Sequence, residues 1–486
     1  MKAKDFASLE NLALTLFFLL PLFYLISKFD YLSSINFLEL IRAIKSSLIQ
    51  SAAAAALCVF VGLPAAMGLQ GISEKLQKVT KLLLVLPQVL PVIFTILIVF
   101  TIVKPFPMGP FGIIILFFVV NFGLATLILA EAIRQKIGKS GIVAEIFGVS
   151  QFAFFKNILI PTLYKDIIRC FYLIFVFCFA SFSIPLIAGG GKSVNFEILI
   201  YEKIYVQTDW GGAVSLAIIQ SLCVFFLSLP TISHDTKKTN DDFINSRLLI
   251  SKFGLLLICG YIFLYGSGYL WGLSQSVSYI KFVTQHLDEI LLGLAGSLQF
   301  FFISSVFSLF LIYLLTKSFV HHEKMPLILN YLSPSTVVVG FSIYLLFSGE
   351  RHLDAYKFVF AFSVLSVPAL FKLFIQSRLQ QLNSQLSTAK IFGLSNETII
   401  FKIIFPQIKK SLGLFLIVQT FWVLGDFSIS RAVGLQTSTL GLITESFLSS
   451  YRLQAAYLTS FLILIIWAGI SGLIYYFTKE NHVKNT

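Results

Sequence analysis

One stretch of this chain is written twice, and the repeat limits what the chain can fold into. Residues 144–161 read AEIFGVSQFAFFKNILIP, and 245 residues later residues 389–406 read AKIFGLSNETIIFKIIFP. Ala144/Ala389, Ile146/Ile391, Phe147/Phe392, Gly148/Gly393, Ser150/Ser395, Ile158/Ile403 and Pro161/Pro406 coincide without a gap, while Glu145 faces Lys390. At the same offset Phe182, Ser183 and Ile184 match Phe427, Ser428 and Ile429. Further upstream, Leu86-Pro87-Gln88-Val89-Leu90-Pro91 and Leu332-Ser333-Pro334 each set proline in an apolar run at nearly that offset. An element repeated in a fixed place implies a repeated architecture.

Both copies lie between long apolar runs, and composition says what surrounds those runs. Hydrophobic residues make up 57% of the 486, charged ones only 12%, and the mean hydropathy is +0.88. Soluble domains carry about a quarter charged residues, so the solvent for most of this chain is lipid. The net charge of +13 then reflects basic residues gathered on one side of a membrane and not nucleic-acid binding. The five cysteines (Cys58, Cys170, Cys178, Cys223, Cys259) sit in or beside apolar runs without a CxxC; they read as packing residues, not disulfides or a metal cluster. Lys2 and Lys4 precede an apolar run lacking a small-residue cleavage site, which reads as an uncleaved anchor.

A spanning helix needs about 20 mostly apolar residues. By that rule twelve spans are expected near residues 11–27, 45–69, 81–103, 111–133, 166–188, 212–230, 250–272, 290–316, 326–347, 357–376, 411–431 and 455–477. The expected fold is all-α and polytopic, with two fused six-helix halves at 1–232 and 250–486 joined by a polar linker at 233–249. With the amino terminus inside, 25 of the 36 lysines and arginines fall on the cytoplasmic side. That bias predicts cytoplasmic termini and cytoplasmic copies of the repeated stretch.

The spacing in both copies resembles the EAA loop of bacterial ABC importer permeases. That pattern has a small residue four before a glycine, an isoleucine ten after it and a proline thirteen after it; Ala144, Gly148, Ile158, Pro161 and Ala389, Gly393, Ile403, Pro406 fit. It departs from the pattern six before the glycine, where Ile142 and Ser387 replace the usual glutamate. The segment CFASFSIPLIAGGG at 178–191, with Gly425-Asp426-Phe427 and Ser450-Tyr451-Arg452, is similar to fused permeases for thiamine or thiamine pyrophosphate. The resemblance implies the type I (MetI-like) importer transmembrane domain in the bacterial inner membrane. It also implies two copies of a cytoplasmic ABC ATPase, a periplasmic substrate-binding protein and a small-molecule cargo. A ferric-iron permease is the alternative within that class, and a secondary transporter with internal repeats is the alternative outside it.

Residue chemistry adds its own expectations. A glycine lets two short helices meet at a sharp angle, and Ile146, Phe147, Ile391 and Phe392 offer apolar knobs suited to a groove on a soluble partner. Gly189-Gly190-Gly191-Lys192-Ser193 is not a phosphate loop: Leu186 occupies its first glycine position, and it follows an apolar helix where a strand is required. No catalytic residue, cofactor or metal is expected, and His321-His322-Glu323 reads as a solvated turn. Asp426 is an acid at membrane depth, which faces a cavity or a partner. It either attracts a cationic cargo, with Trp422 and Phe427 supplying aromatic faces, or caps a broken helix near Gly425. Ser181 and Phe182 are its first-half counterparts on a translocation pathway.

Overall fold

The computed structural model describes residues 3–27, 36–228, 247–322, 335–347 and 350–479. Its helices are, in chain order, α1 (Ala3–Ser27), α2 (Phe37–Gln70), α3 (Glu74–Val89), α4 (Val92–Ile102), α5 (Pro110–Lys136), α6 (Gly138–Ile146), α7 (Gln151–Phe154), α8 (Ile160–Phe179), α9 (Ser183–Ala188), α10 (Phe196–Tyr205), α11 (Trp210–Ser228) and α12 (Lys252–Ser276). They continue with α13 (Ile280–Gln285), α14 (Leu287–His322), α15 (Thr336–Leu346), α16 (Asp354–Phe371), α17 (Ser377–Gln381), α18 (Asn383–Ile391), α19 (Asn396–Thr398), α20 (Phe405–Gly425), α21 (Ser428–Ala432), α22 (Leu440–Ser449) and α23 (Leu453–Thr478). No strand occurs among the described residues. In hydrocarbon each backbone polar group must be satisfied within its own segment, which helices achieve.

Among the described residues, seven stretches are long and apolar enough to cross a membrane: Phe37–Gln70, Pro110–Lys136, Trp210–Leu227, Lys252–Gln285, Leu287–His321, Arg351–Gln381 and Leu453–Thr478. An eighth appears if α3 and α4 are taken as one span, although they bend by 100° at Leu90 and Pro91. The chain is thus a polytopic all-α membrane protein. The expected span at 81–103 is this bent pair, because Pro91 cannot continue the hydrogen-bond ladder. The spans expected at 166–188 and 411–431 are interrupted between α8 and α9 and between α20 and α21. The stretch at 326–347 falls partly outside the described residues, and α1 offers only the shorter apolar run Leu12–Pro21. The linker at 233–249 is described only at Arg247–Leu249.

The duplication is visible element by element. Helices α18, α19, α20 and α21 each begin 245 residues after α6, α7, α8 and α9. Contacts nevertheless group the chain differently from the repeat. One compact unit holds Met1–Ser34, Ile200–Ile219 and Ser278–Thr486; the other holds Ile35–Leu199 and Gln220–Val277. Each repeat's first helix, α1 or α12, therefore packs with the helices of the other repeat.

In the unit holding α2–α9, α2 lies along α5 and α8, and α12 lies on α2 and α4. The Tyr261 hydroxyl donates to the Val119 carbonyl at 2.8 Å, and the Thr95 and Tyr265 hydroxyls meet at 2.9 Å. In the unit holding α14–α23, α20 lies on α23 and α14 packs on α16, α20 and α22. There Trp467 stacks on Phe421 with ring centroids 4.5 Å apart, and its indole N–H donates to Ile417 O at 2.9 Å. Polar tips of aromatic side chains thus find partners inside each apolar unit, as burial demands.

Candidate functional site

Each repeated stretch forms a helix, a tight turn and a second helix. Helix α6 is capped at Phe147, and Gly148 takes φ +68°. The Gly148 N–H donates to Glu145 O and the Val149 N–H to Ala144 O, both at 3.0 Å. This is the Schellman arrangement, which satisfies the helix's last carbonyls and needs a left-handed residue. Ser150 then caps α7 by accepting from the Ala153 N–H at 3.3 Å. The second copy repeats every part: Gly393 at φ +71°, Gly393 N–H to Lys390 O at 3.0 Å, Leu394 N–H to Ala389 O at 3.2 Å, and Ser395 capping Thr398 at 3.3 Å. Ala144 and Ala389, whose carbonyls receive the long bond, are both buried, where a larger side chain would have to be accommodated.

The apolar pairs beside these glycines are uncovered. Ile146 and Phe147 are 77% and 79% exposed, Ile391 and Phe392 83% and 80%. Four large apolar side chains, two per repeat, are thus exposed at matching positions of the two copies. Glu145 and Lys390 are half-buried on the same turns, while Ile142 and Ser387, at the usual glutamate position, are exposed. Pro161 and Pro406 open α8 and α20, and each is preceded by a π-helical turn, Phe155–Leu159 and Ile399–Ile404. Proline lacks an N–H and its ring crowds the carbonyl four residues back, and widening to a π-turn relieves that clash. Ile158 and Ile403 lie in these widened turns and are half-buried.

Beyond each turn the following helix is broken. Asp426 stands between α20 and α21, where its Oδ1 accepts from Ser428 Oγ at 3.1 Å and Ile429 N at 3.3 Å. Its Oδ2 accepts from Ser430 N at 3.1 Å and Ser430 Oγ at 3.3 Å. Of the two roles open to it from sequence, the structure supplies the geometry of the cap. Phe427 and Phe182 are buried, whereas Trp422, one turn earlier in α20, and Ser181 are half-buried. The aromatic face expected of Phe427 is therefore turned into packing.

A polar cluster that sequence reasoning passed over lies at the bend between α3 and α4. Gln88 Nε2 donates to Asn121 Oδ1 at 2.7 Å; Asn121 Nδ2 donates to Phe117 O at 2.9 Å and lies 3.6 Å from Cys178 Sγ. The signal was present: one amide between two prolines in an otherwise apolar run.

Other motifs resolve into structure. Ser193 of the triple-glycine segment follows α9, a helix, and accepts from Gln50 Nε2 at 2.7 Å. His321 and His322 form the last turn of α14 instead of a loop, and the Asn396 amide lies 3.2 Å from His321 Nδ1; Glu323 falls outside the described residues. Cys58, Cys170 and Cys178 are buried as expected of packing residues, but Cys259 is exposed.

No family model and no solved structure matches the chain. Similarity is found to the thiamine transport system permease protein ThiP of Escherichia coli (strain K12), 32% identical over 124 residues. The same-named protein of Salmonella typhimurium (strain LT2) is 31% identical over 124 residues. Each match spans 25% of this chain and 23% of the relative's length.

Proposed function

We propose that this chain is the translocation subunit of an ATP-driven ABC importer of the bacterial inner membrane, carrying thiamine or thiamine pyrophosphate. The observation that carries this is the pair of matched turns, each holding a left-handed glycine beside an exposed Ile–Phe pair. An apolar knob on a rigid turn suits a preformed groove on a soluble partner. Two knobs call for two grooves, which a pair of identical ATPase subunits supplies. Lysine and arginine bias supports a cytoplasmic position for both turns and both termini. The cargo class comes from the partial likeness to permeases named for thiamine transport.

On this reading a periplasmic binding protein delivers cargo to the outer mouth. Two ATPase subunits close on ATP and press on the turns at 144–161 and 389–406. Because the turns continue through the π-turns directly into α8 and α20, the push is passed to those helices. Nucleotide and cargo must each favour a different global state for transport to be driven.

Phe147→Ser with Phe392→Ser tests the proposal in cells expressing the complete transporter with its ATPase. The double variant is expected to reach the membrane at normal levels, lose ATPase co-purification and lose uptake of labelled thiamine. Normal co-purification rules out docking through these turns. Uptake of labelled ferric iron but not thiamine by the unaltered protein overturns the cargo and leaves the class standing.

A further inference from the structure

The bend between α3 and α4 holds an unused hydrogen-bond acceptor at membrane depth. Asn121 must direct its amino group at Phe117 O, since a carbonyl there would meet another carbonyl. Its Oδ1 therefore faces Gln88, which must present its own amino group; that group also lies 3.4 Å from Val120 O. The network fixes both amide orientations and leaves Gln88 Oε1 with no donor among the described residues. Gln88 is half-buried.

The place is as informative as the group. Gln88 is in the last turn of α3, at the 100° bend. Cys178, beside Asn121, is in the last turn of α8, just before the chain breaks ahead of α9. Two interrupted helices of one unit thus converge on a single residue of α5. Irregular backbone at membrane depth persists where it is buried in protein or lines a cavity, and broken helices of this kind form substrate sites in other transporters.

Among the described residues the cluster also occurs once. At the repeat offset Asn121 is replaced by Ser366, whose hydroxyl donates to Phe362 O of its own helix at 2.6 Å, and Cys178 by Val423. The repeated fold is therefore built without this amide pair in its second copy. A contact with one asymmetric cargo is needed in only one.

We infer that Gln88 is a specificity-determining residue whose side-chain carbonyl accepts a hydrogen bond from the exocyclic amino group of an aminopyrimidine cargo, with Asn121 positioning it. The inference rests on the thiamine reading above. An acceptor held in an apolar setting favours a ligand donor and opposes a ligand acceptor. The discriminating pair is therefore thiamine and oxythiamine, in which an oxo group replaces that amino group.

Uptake of labelled thiamine, with unlabelled oxythiamine as competitor, is measured in cells carrying the complete transporter with the unaltered chain or Gln88→Met, normalised to the amount in the membrane. The same binding protein serves both, so a changed preference belongs to this subunit. The unaltered chain is expected to prefer thiamine, and Q88M to reduce that preference on the order of tenfold by weakening thiamine alone. Gln88→Asn, which withdraws the carbonyl by one methylene, is expected to do the same and serves if Q88M fails to accumulate. An unchanged preference, whether uptake falls or not, overturns the Gln88 contact while the thiamine reading stands. Absence of thiamine uptake by the unaltered chain overturns both.

Discussion

A methyl group on Gly123 would overlap the backbone carbonyl of Leu84. Helix α3 thus rests directly on α5, two residues from Asn121, and this contact sets how far Gln88 stands from it. Overpacking of this kind costs roughly 1–3 kcal/mol. Gly123→Ala is expected to lower the melting temperature in detergent and to lower thiamine uptake with it. Gly260→Ala in α12 is the control: nothing lies within 4 Å of a Cβ there, so its melting temperature should stay level or rise slightly. Equal behaviour of the two variants would refute the close crossing.

The turns make a different demand. A Cβ on Gly148 or Gly393 meets nothing within 4 Å, so only the positive φ excludes other residues. Left-handed backbone costs a non-glycine residue roughly 1–2 kcal/mol, and asparagine tolerates it best. Gly148→Val and Gly393→Val are expected to re-aim Phe147 and Phe392 and abolish ATPase co-purification. The asparagine variants should retain much of it, and global melting should barely move in either. Equal loss in the valine and asparagine variants would show that bulk, not backbone conformation, governs docking.

These turns were legible in the sequence because each part acts over a few residues. Gly148 sets φ, Ser150 caps, Ala144 leaves room and Pro161 opens the next helix. The α3–α4 break was half-legible: Pro87 and Pro91 marked it, but no local rule gives a 100° bend. The placement of α1 and α12 with the opposite repeat was not legible, because a helix that is apolar on all sides does not encode which neighbour it meets. The Gln88–Asn121 pair spans 33 residues and depends on that packing. Asp426 drew attention by its charge, yet its partners lie two to four residues ahead, within ordinary capping distance.

That cap is testable against a charge role. Asparagine caps a helix about as well as aspartate, while alanine costs about 1 kcal/mol. Asp426→Asn keeps one carbonyl acceptor but turns its amino group toward the other backbone N–H, so it is expected to lower the melting temperature slightly and keep most transport, and Asp426→Ala to lower both further. Should D426N melt normally but import nothing, the carboxylate's charge acts on the cargo, and capping is not its main role.

The start of α16 carries a buried ion pair with no counterpart in the other repeat. Lys357 Nζ lies 3.1 Å from Asp354 Oδ1 and donates to Glu350 O at 2.8 Å. Asp354 Oδ2 accepts from the Gln436 and Thr437 N–H groups, each at 2.9 Å, and from Thr437 Oγ1 at 3.0 Å. The matching positions in the first repeat are Gly109 and Gly112, and there the Gly109 N–H reaches Ala188 O at 2.8 Å. One repeat thus fastens this connection with backbone, the other with a carboxylate that requires its lysine. Removing one member of a buried pair strands a charge and costs about 3–5 kcal/mol, whereas neutralising both costs much less. Lys357→Met is therefore expected to lower stability sharply, and Asp354→Asn with Lys357→Met to recover much of the loss, read by thermal unfolding in detergent. Additive losses from the two single changes would mean that the pair is not coupled and that Asp354 holds the 436–437 backbone alone.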